Sequence, residues 1–185
     1  MEKDLQTGGL ESLPRVEIQT ELGNIIVELE ATKAPHTTAN FLRYVKAGHY
    51  RNTNFYRTVT PDNQPNDSVK IEVIQGGMGI DTLLEAKSPF PPIPIERTSE
   101  TGLKHLDGTF SVSRLAADTG CSEFFICLGD QPELDFGGKR NPDGQGFAAF
   151  GQVVSGMEVV KAIQEAPHQA QNLTPPVKII NIVPV

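Results

Sequence analysis

VEIQTELGNIIVELE, residues 16–30, decides the fold. Val16, Ile18 and Thr20 alternate with Glu17 and Gln19, as one half-buried strand requires. Leu22-Gly23-Asn24 supplies a turn, and Ile25 to Leu29 is rich in β-branched residues, so the stretch predicts a β-hairpin. Outward from it, Pro35 to Ala47 predicts a helix: proline suits its first turn, Phe41, Leu42 and Val45 share a face, and Gly48 suits its stop. Further strands are expected at Asn54–Thr60, Val69–Ile74, Gly108–Arg114, Glu123–Leu128, Phe147–Val153 and Val177–Val183. Alternation along Asn54–Thr60 sets Phe55 and Arg57 on one face and Tyr56 and Thr58 on the other. Residues 78–100, with four prolines at 89, 91, 92 and 94, are expected to be loop. Ser155 and Glu158 form a capping box before a second helix lined by Val159, Val160 and Ile163. Eight strands and two helices indicate a mainly β protein, a closed antiparallel barrel or sandwich with helical lids.

The chain has 185 residues and a net charge of -7, enough length for one domain with a sizeable core. An acidic chain is a poor match for nucleic acid or an anionic membrane surface. No stretch approaches the roughly 18 apolar residues of a membrane span, and the opening has no apolar signal core. Residues 1–15 are expected to be a polar N-terminal lead, possible disorder included, before a single domain over 16–185. The expected location is cytoplasmic if the chain is complete, and periplasmic or lipid-tethered if a leader has been removed. Cys121 and Cys127 make neither a disulfide framework nor a zinc spacing, and are expected to be buried thiols. His36, His49, His105 and His168 sit on separate loops or helix ends without metal spacing. Ser111 and Ser113 lack a nucleophile elbow, so a hydrolase is unsupported.

Taken together, several segments resemble the cyclophilin family in order and spacing. They are LGNIIVELEATKAPHTTANFLRYVKAGHYRNTNFYR (22–57), IQGG (74–77), GLKHLDGTFSVSR (102–114), SEFFIC (122–127), the Leu134-Asp135 pair and FAAFGQVVSGMEVVKAI (147–163). The similarity spans about residues 16–185, with GLKH…GTFSVSR nearest to bacterial members. It implies a peptidyl-prolyl cis-trans isomerase on a closed eight-stranded antiparallel barrel capped by two α-helices. Its substrates would be proline-containing peptides and unfolded or partly folded proteins, with no cofactor, no metal and no nucleic acid. The chain is expected to be a monomer.

The same resemblance assigns residues. Arg57 matches the catalytic arginine, and Gln75 the glutamine that orients it and holds the substrate backbone. Phe125 and Leu134 match the proline pocket, while Phe55 is either pocket floor or core. Phe147 replaces a frequent histidine near the groove. Ser113, with Arg114 and Leu115, stands at the backbone-contacting positions. There are departures. Tyr56 replaces a histidine that is not the central catalytic group, and Glu123 replaces a frequent glutamine. The interval from Arg57 to Gln75 is longer by about ten residues, an excess that loop-closure entropy tolerates. Glu72 falls where the second pocket phenylalanine belongs. A carboxylate there is costly, unless the insertion shifts the register and brings Ile71 or Val73 inward. Two functions follow: an active isomerase, or a catalytically weak or inactive proline-peptide-binding module in which Glu72 and Glu123 spoil the pocket.

Overall fold

A computed structural model describes residues 12–185; the lead expected over 1–15 lies outside it for residues 1–11. Strand β1 (Arg15–Thr20) pairs antiparallel with β2 (Gly23–Leu29), setting Val16 opposite Val27 and Ile18 opposite Ile25. The turn between them is shorter than expected, because Gly23 and Asn24 already belong to β2. The Thr20 hydroxyl closes it, donating to the Gly23 carbonyl (2.6 Å) and accepting from the Leu22 amide (3.1 Å).

Helix α1 (Pro35–Lys46) follows, with Phe41, Tyr44 and Val45 turned into the core. Then come β3 (Thr53–Val59), β4 (Val73–Gly77), α2 (Asp81–Leu84), α3 (Thr98–Thr101), β5 (Thr109–Val112), β6 (Phe124–Cys127) and a single 3-10 turn, Pro132–Leu134. The chain ends through β7 (Ala149–Ser155), α4 (Met157–Gln164), β8 (His168–Gln169) and β9 (Asn172–Pro184). The strands run β1-β2-β7-β5-β6-β4-β3-β9, and β1 pairs with β9, so eight strands close into an antiparallel barrel. Closure leaves no long open edge. β8 is a two-residue spur on β9.

Four expectations need correction. The capping box at Ser155 does not form: Gly156, in the left-handed region, is the N-cap of α4, without a side-chain cap bond. A Cβ on Gly156 would lie 2.4 Å from the Asn24 carbonyl, so close packing on β2 fixes that helix start. The 78–100 segment carries α2 and α3 rather than loop alone. β4 begins at Val73, not Val69, because the preceding backbone bonds to side chains instead of a strand. The Gln64 amide spans both polar groups of Ile71 (2.7 and 3.1 Å), and Arg140 binds the Val69 carbonyl (2.8 Å). Finally, β3 is irregular between Phe55 and Arg57, where its register against both neighbours shifts. Phe55 stays fully buried while Arg57 leaves that face. A bulge of this kind re-aims a side chain.

Alternation sorts the apolar residues into two clusters. Phe55, Ile74, Phe124 and Ile126 point into the barrel with Phe41, Phe110 and Phe150. Val59, Ile71, Val73, Phe125, Cys127 and Leu134 form a second cluster on the outer wall, with Phe147 packed against it. Both cysteines are free and buried.

Candidate active site

Arg57, Gln75 and Phe125 stand side by side on β3, β4 and β6: Arg57 is in register with Gln75, and Gln75 with Phe125. Arg57 donates from Nη1 to Gln75 Oε1 (2.9 Å). Its Nε and Nη2 donate to Gln171 Oε1 (2.9 and 2.7 Å). A guanidinium carries five N–H donors in a rigid fork, so two of them remain for a ligand. Burial, then the neighbouring Arg140 charge, pushes the Arg57 pKa below its ordinary value. An arginine nevertheless keeps its proton in a protein.

The arginine is held by a directional chain. Gln75 Nε2 donates to the Tyr56 hydroxyl (3.0 Å), which donates to Glu123 Oε2 (2.6 Å). Glu123 also accepts from Ser122 Oγ (2.8 Å), Thr82 Oγ1 (3.1 Å) and the Gly79 amide (3.2 Å). Burial raises the Glu123 pKa, while these donors pull it down. Burial, reinforced by the same carboxylate, pushes the Tyr56 phenol up, which keeps it a donor. Gly77 makes room for Glu123: at φ +139, a Cβ would sit 2.6 Å from its carboxylate oxygen.

Beside Arg57 lies a cleft of about 260 Å³. Its apolar floor is Phe125, Leu134, Val73 and Ile71, and Phe147 forms a wall. Phe147 meets Phe125 edge-on at 5.4 Å and 89°, the favourable quadrupole arrangement. Under Phe125, His105 stacks at 5.9 Å and 13°. His105 is bonded to Asp135 (2.8 Å) and Ser111 (2.9 Å). That trio resembles a nucleophile relay, but Ser111 and His105 are sealed from solvent, so it braces a ring instead.

Arg114 braces the wall from behind. It donates to the Gly146 carbonyl, the Leu115 carbonyl and both oxygens of Asp143, and its guanidinium lies 4.9 Å from the Phe147 ring centre. The bonds from Arg114 hold the Asp143 carboxyl below the usual carboxylate range. Ser113 lines the cleft, and its hydroxyl is buried without a partner among the described residues.

The structure therefore brings Arg57, Gln75, Phe125, Leu134, Phe147 and Ser113 to one cleft. Three expected site residues lie elsewhere. Phe55 is core, meeting Phe124 edge-on at 5.7 Å. Glu72 faces away beside α4, where Gln164 Nε2 donates to it (3.1 Å), and Ile71 and Val73 line the cleft in its stead. Glu123 is buried at the far end of the Tyr56 chain and does not reach the cleft. Sequence reasoning missed Gln171, His105 and Arg140 and discounted Tyr56. Of these, only Tyr56 carried a local signal, as the neighbour of Arg57.

Residues 15–183 match the family model described as cyclophilin type peptidyl-prolyl cis-trans isomerase/CLD. A peptidyl-prolyl cis-trans isomerase of Acinetobacter baylyi is 37% identical over 173 residues, which cover 90% of this chain and 83% of the relative. Peptidyl-prolyl cis-trans isomerase B of Escherichia coli is 34% identical over 150 residues, covering 80% and 83%. Among solved structures, a cyclophilin-type isomerase of Cryptosporidium parvum superposes with a TM-score of 0.72 at 21% identity, covering 94% of this chain and 98% of that one. A second structure of the same protein, in the presence of the dipeptide Ala-Pro, gives 0.69 at 22% identity, covering 91% and 97%.

Proposed function

The chain belongs to the cyclophilin family of peptidyl-prolyl cis-trans isomerases, and from that premise we propose that the Arg57 cleft is where it turns X-Pro bonds. Rotation about a peptide bond meets a barrier of roughly 18–20 kcal/mol because the nitrogen lone pair is shared with the carbonyl. For X-Pro the two planar forms are close in energy yet interchange slowly. A catalyst needs no nucleophile and no general base. It needs a grip on the proline ring and a donor that favours the twisted amide over both planar ones. As the bond twists, the prolyl nitrogen recovers its lone pair and becomes an acceptor.

The floor of Phe125, Leu134, Ile71 and Val73 suits the ring. The two uncommitted N–H groups of Arg57 suit the nitrogen, or the carbonyl beside it. Because Gln75 and Gln171 fix the guanidinium before substrate arrives, little reorganisation is left for the reaction itself. The single observation that carries this assignment is the register of Arg57, Gln75 and Phe125 on one outer face. An inactive proline-binding module needed Glu72 and Glu123 to spoil the pocket, and neither lines it.

The test is an isomerase assay on X-Pro peptides with wild type, Arg57→Ala and Arg57→Lys. Loss of one preorganised donor typically costs on the order of a hundredfold, and Lys lacks the planar fork, so both variants should fall by about that factor in kcat/KM. Full activity in either variant would refute the role of Arg57.

A further inference from the structure

The cleft has two unlike ends, laid out along β4. At the Gly77 end lie Ile80 and Leu83, and Leu115 and Ser113 line the same cleft. At the Val73 end stands Arg140, which crosses from the 136–146 loop to the 61–70 loop.

Among the described residues, the cleft lining includes three arginines and no carboxylate, in a chain whose net charge is -7. They are not equivalent. All five donors of Arg114 are taken inside the protein. Arg57 gives three donors to Gln75 and Gln171, and its remaining two are assigned to the twisting amide. Arg140 donates from Nη1 to Gln64 Oε1 (2.9 Å) and the Val69 carbonyl (2.8 Å). Its Nε and Nη2 have no protein acceptor among the described residues. Among the described residues its one carboxylate neighbour is Asp67, 3.4 Å away and half exposed, so that partly exposed ion pair is modest.

We propose that Arg140 makes the cleft selective for peptides with an acidic side chain next to the proline, on the side facing the 61–70 loop, and an apolar residue on the other side. This deepens the isomerase assignment and rests on it. The open Nε and Nη2 of Arg140 donate to the carboxylate, while Asp67, beside Nη1, offsets part of the same positive charge. Ile80, Leu83 and Leu115 cover the apolar residue.

Matched peptides carrying Glu or Gln immediately before or immediately after proline test it, with exchange followed by NMR so that no helper protease intervenes. The readout is the Glu/Gln ratio of kcat/KM, which does not depend on how much enzyme is folded. Wild type should favour Glu in at least one position by about fivefold, the scale of a partly exposed ion pair. The preference should shrink with added salt. Arg140→Gln should bring the ratio to one, and Asp67→Asn should raise it. A ratio of one in wild type at both positions, or a preference that survives Arg140→Gln, overturns the proposal while normal turnover of the Gln peptides leaves the isomerase assignment standing. A wild type that turns over none of the peptides overturns both.

Discussion

Glu123 shows what one buried carboxylate does to a site it never touches. It terminates the Arg57–Gln75–Tyr56 chain and places a negative charge two neutral groups away from the guanidinium. Burial raises its pKa in the folded state. As pH rises from the ordinary glutamate value of about 4.3 through the raised folded value, the unfolded chain ionises first and the native state loses stability relative to it. Below that window both states are protonated and the contribution is fully present. Glu123→Gln does not titrate. The stability of wild type relative to this variant should therefore fall as pH rises through the window, in denaturant titrations from about pH 4 to 8. A difference that is flat across that range would show that the four hydrogen bonds fully offset burial. At this scale the sequence was legible where a motif names a residue: Arg57, Gln75, Phe125 and Leu134 all stand at the cleft. It was silent on Gln171, which lies 114 residues from the Arg57 it binds, and on Arg140, 76 residues from Gln64. Such partners exist only after the barrel has closed.

Elements were legible through periodicity and failed where side chains compete with the backbone ladder. The β1–β2 hairpin and α1 formed because alternation and helical spacing agreed with the final packing. Strict alternation failed in β3, since a bulge is a tertiary accommodation with no period of its own. It failed again before β4, where Gln64 replaces strand pairing. Gln64 is almost wholly buried, donates to the Thr60 and Ile71 carbonyls, and accepts from the Ile71 amide and Arg140. The inserted loop thus has a small polar core instead of an apolar one. Gln64→Ala strands those backbone groups, and each buried unpaired group costs about 1–3 kcal/mol. The variant should lose at least that much in urea unfolding. An unchanged midpoint would mean that water replaces the amide without penalty.

Across the whole molecule, one sheet serves two purposes because its two faces are both apolar. The interior cluster fills the barrel; Ile71, Val73, Phe125 and Leu134 of the exterior cluster line the cleft. Phe124 and Phe125 are chain neighbours on opposite faces, which makes them a controlled comparison. Phe124 is buried against Phe41, Tyr50, Phe55 and Phe110, with ring centres 5.0 to 6.0 Å away. Phe124→Ala leaves a closed cavity and should cost about 3–5 kcal/mol of stability. Phe125→Ala instead widens a cleft already open to solvent, so its stability loss should be smaller. On the proposed reading it also removes the ring that holds the proline, worth about 1.5–3 kcal/mol if fully used. The kcat/KM per folded molecule should then drop by roughly tenfold or more, at 1.4 kcal/mol per decade. Paired denaturant and isomerase measurements should find stability hit harder at 124 and turnover hit harder at 125. Equal stability losses with turnover untouched at 125 would mean that the outer cluster is ordinary core and that the substrate binds on another part of the barrel wall.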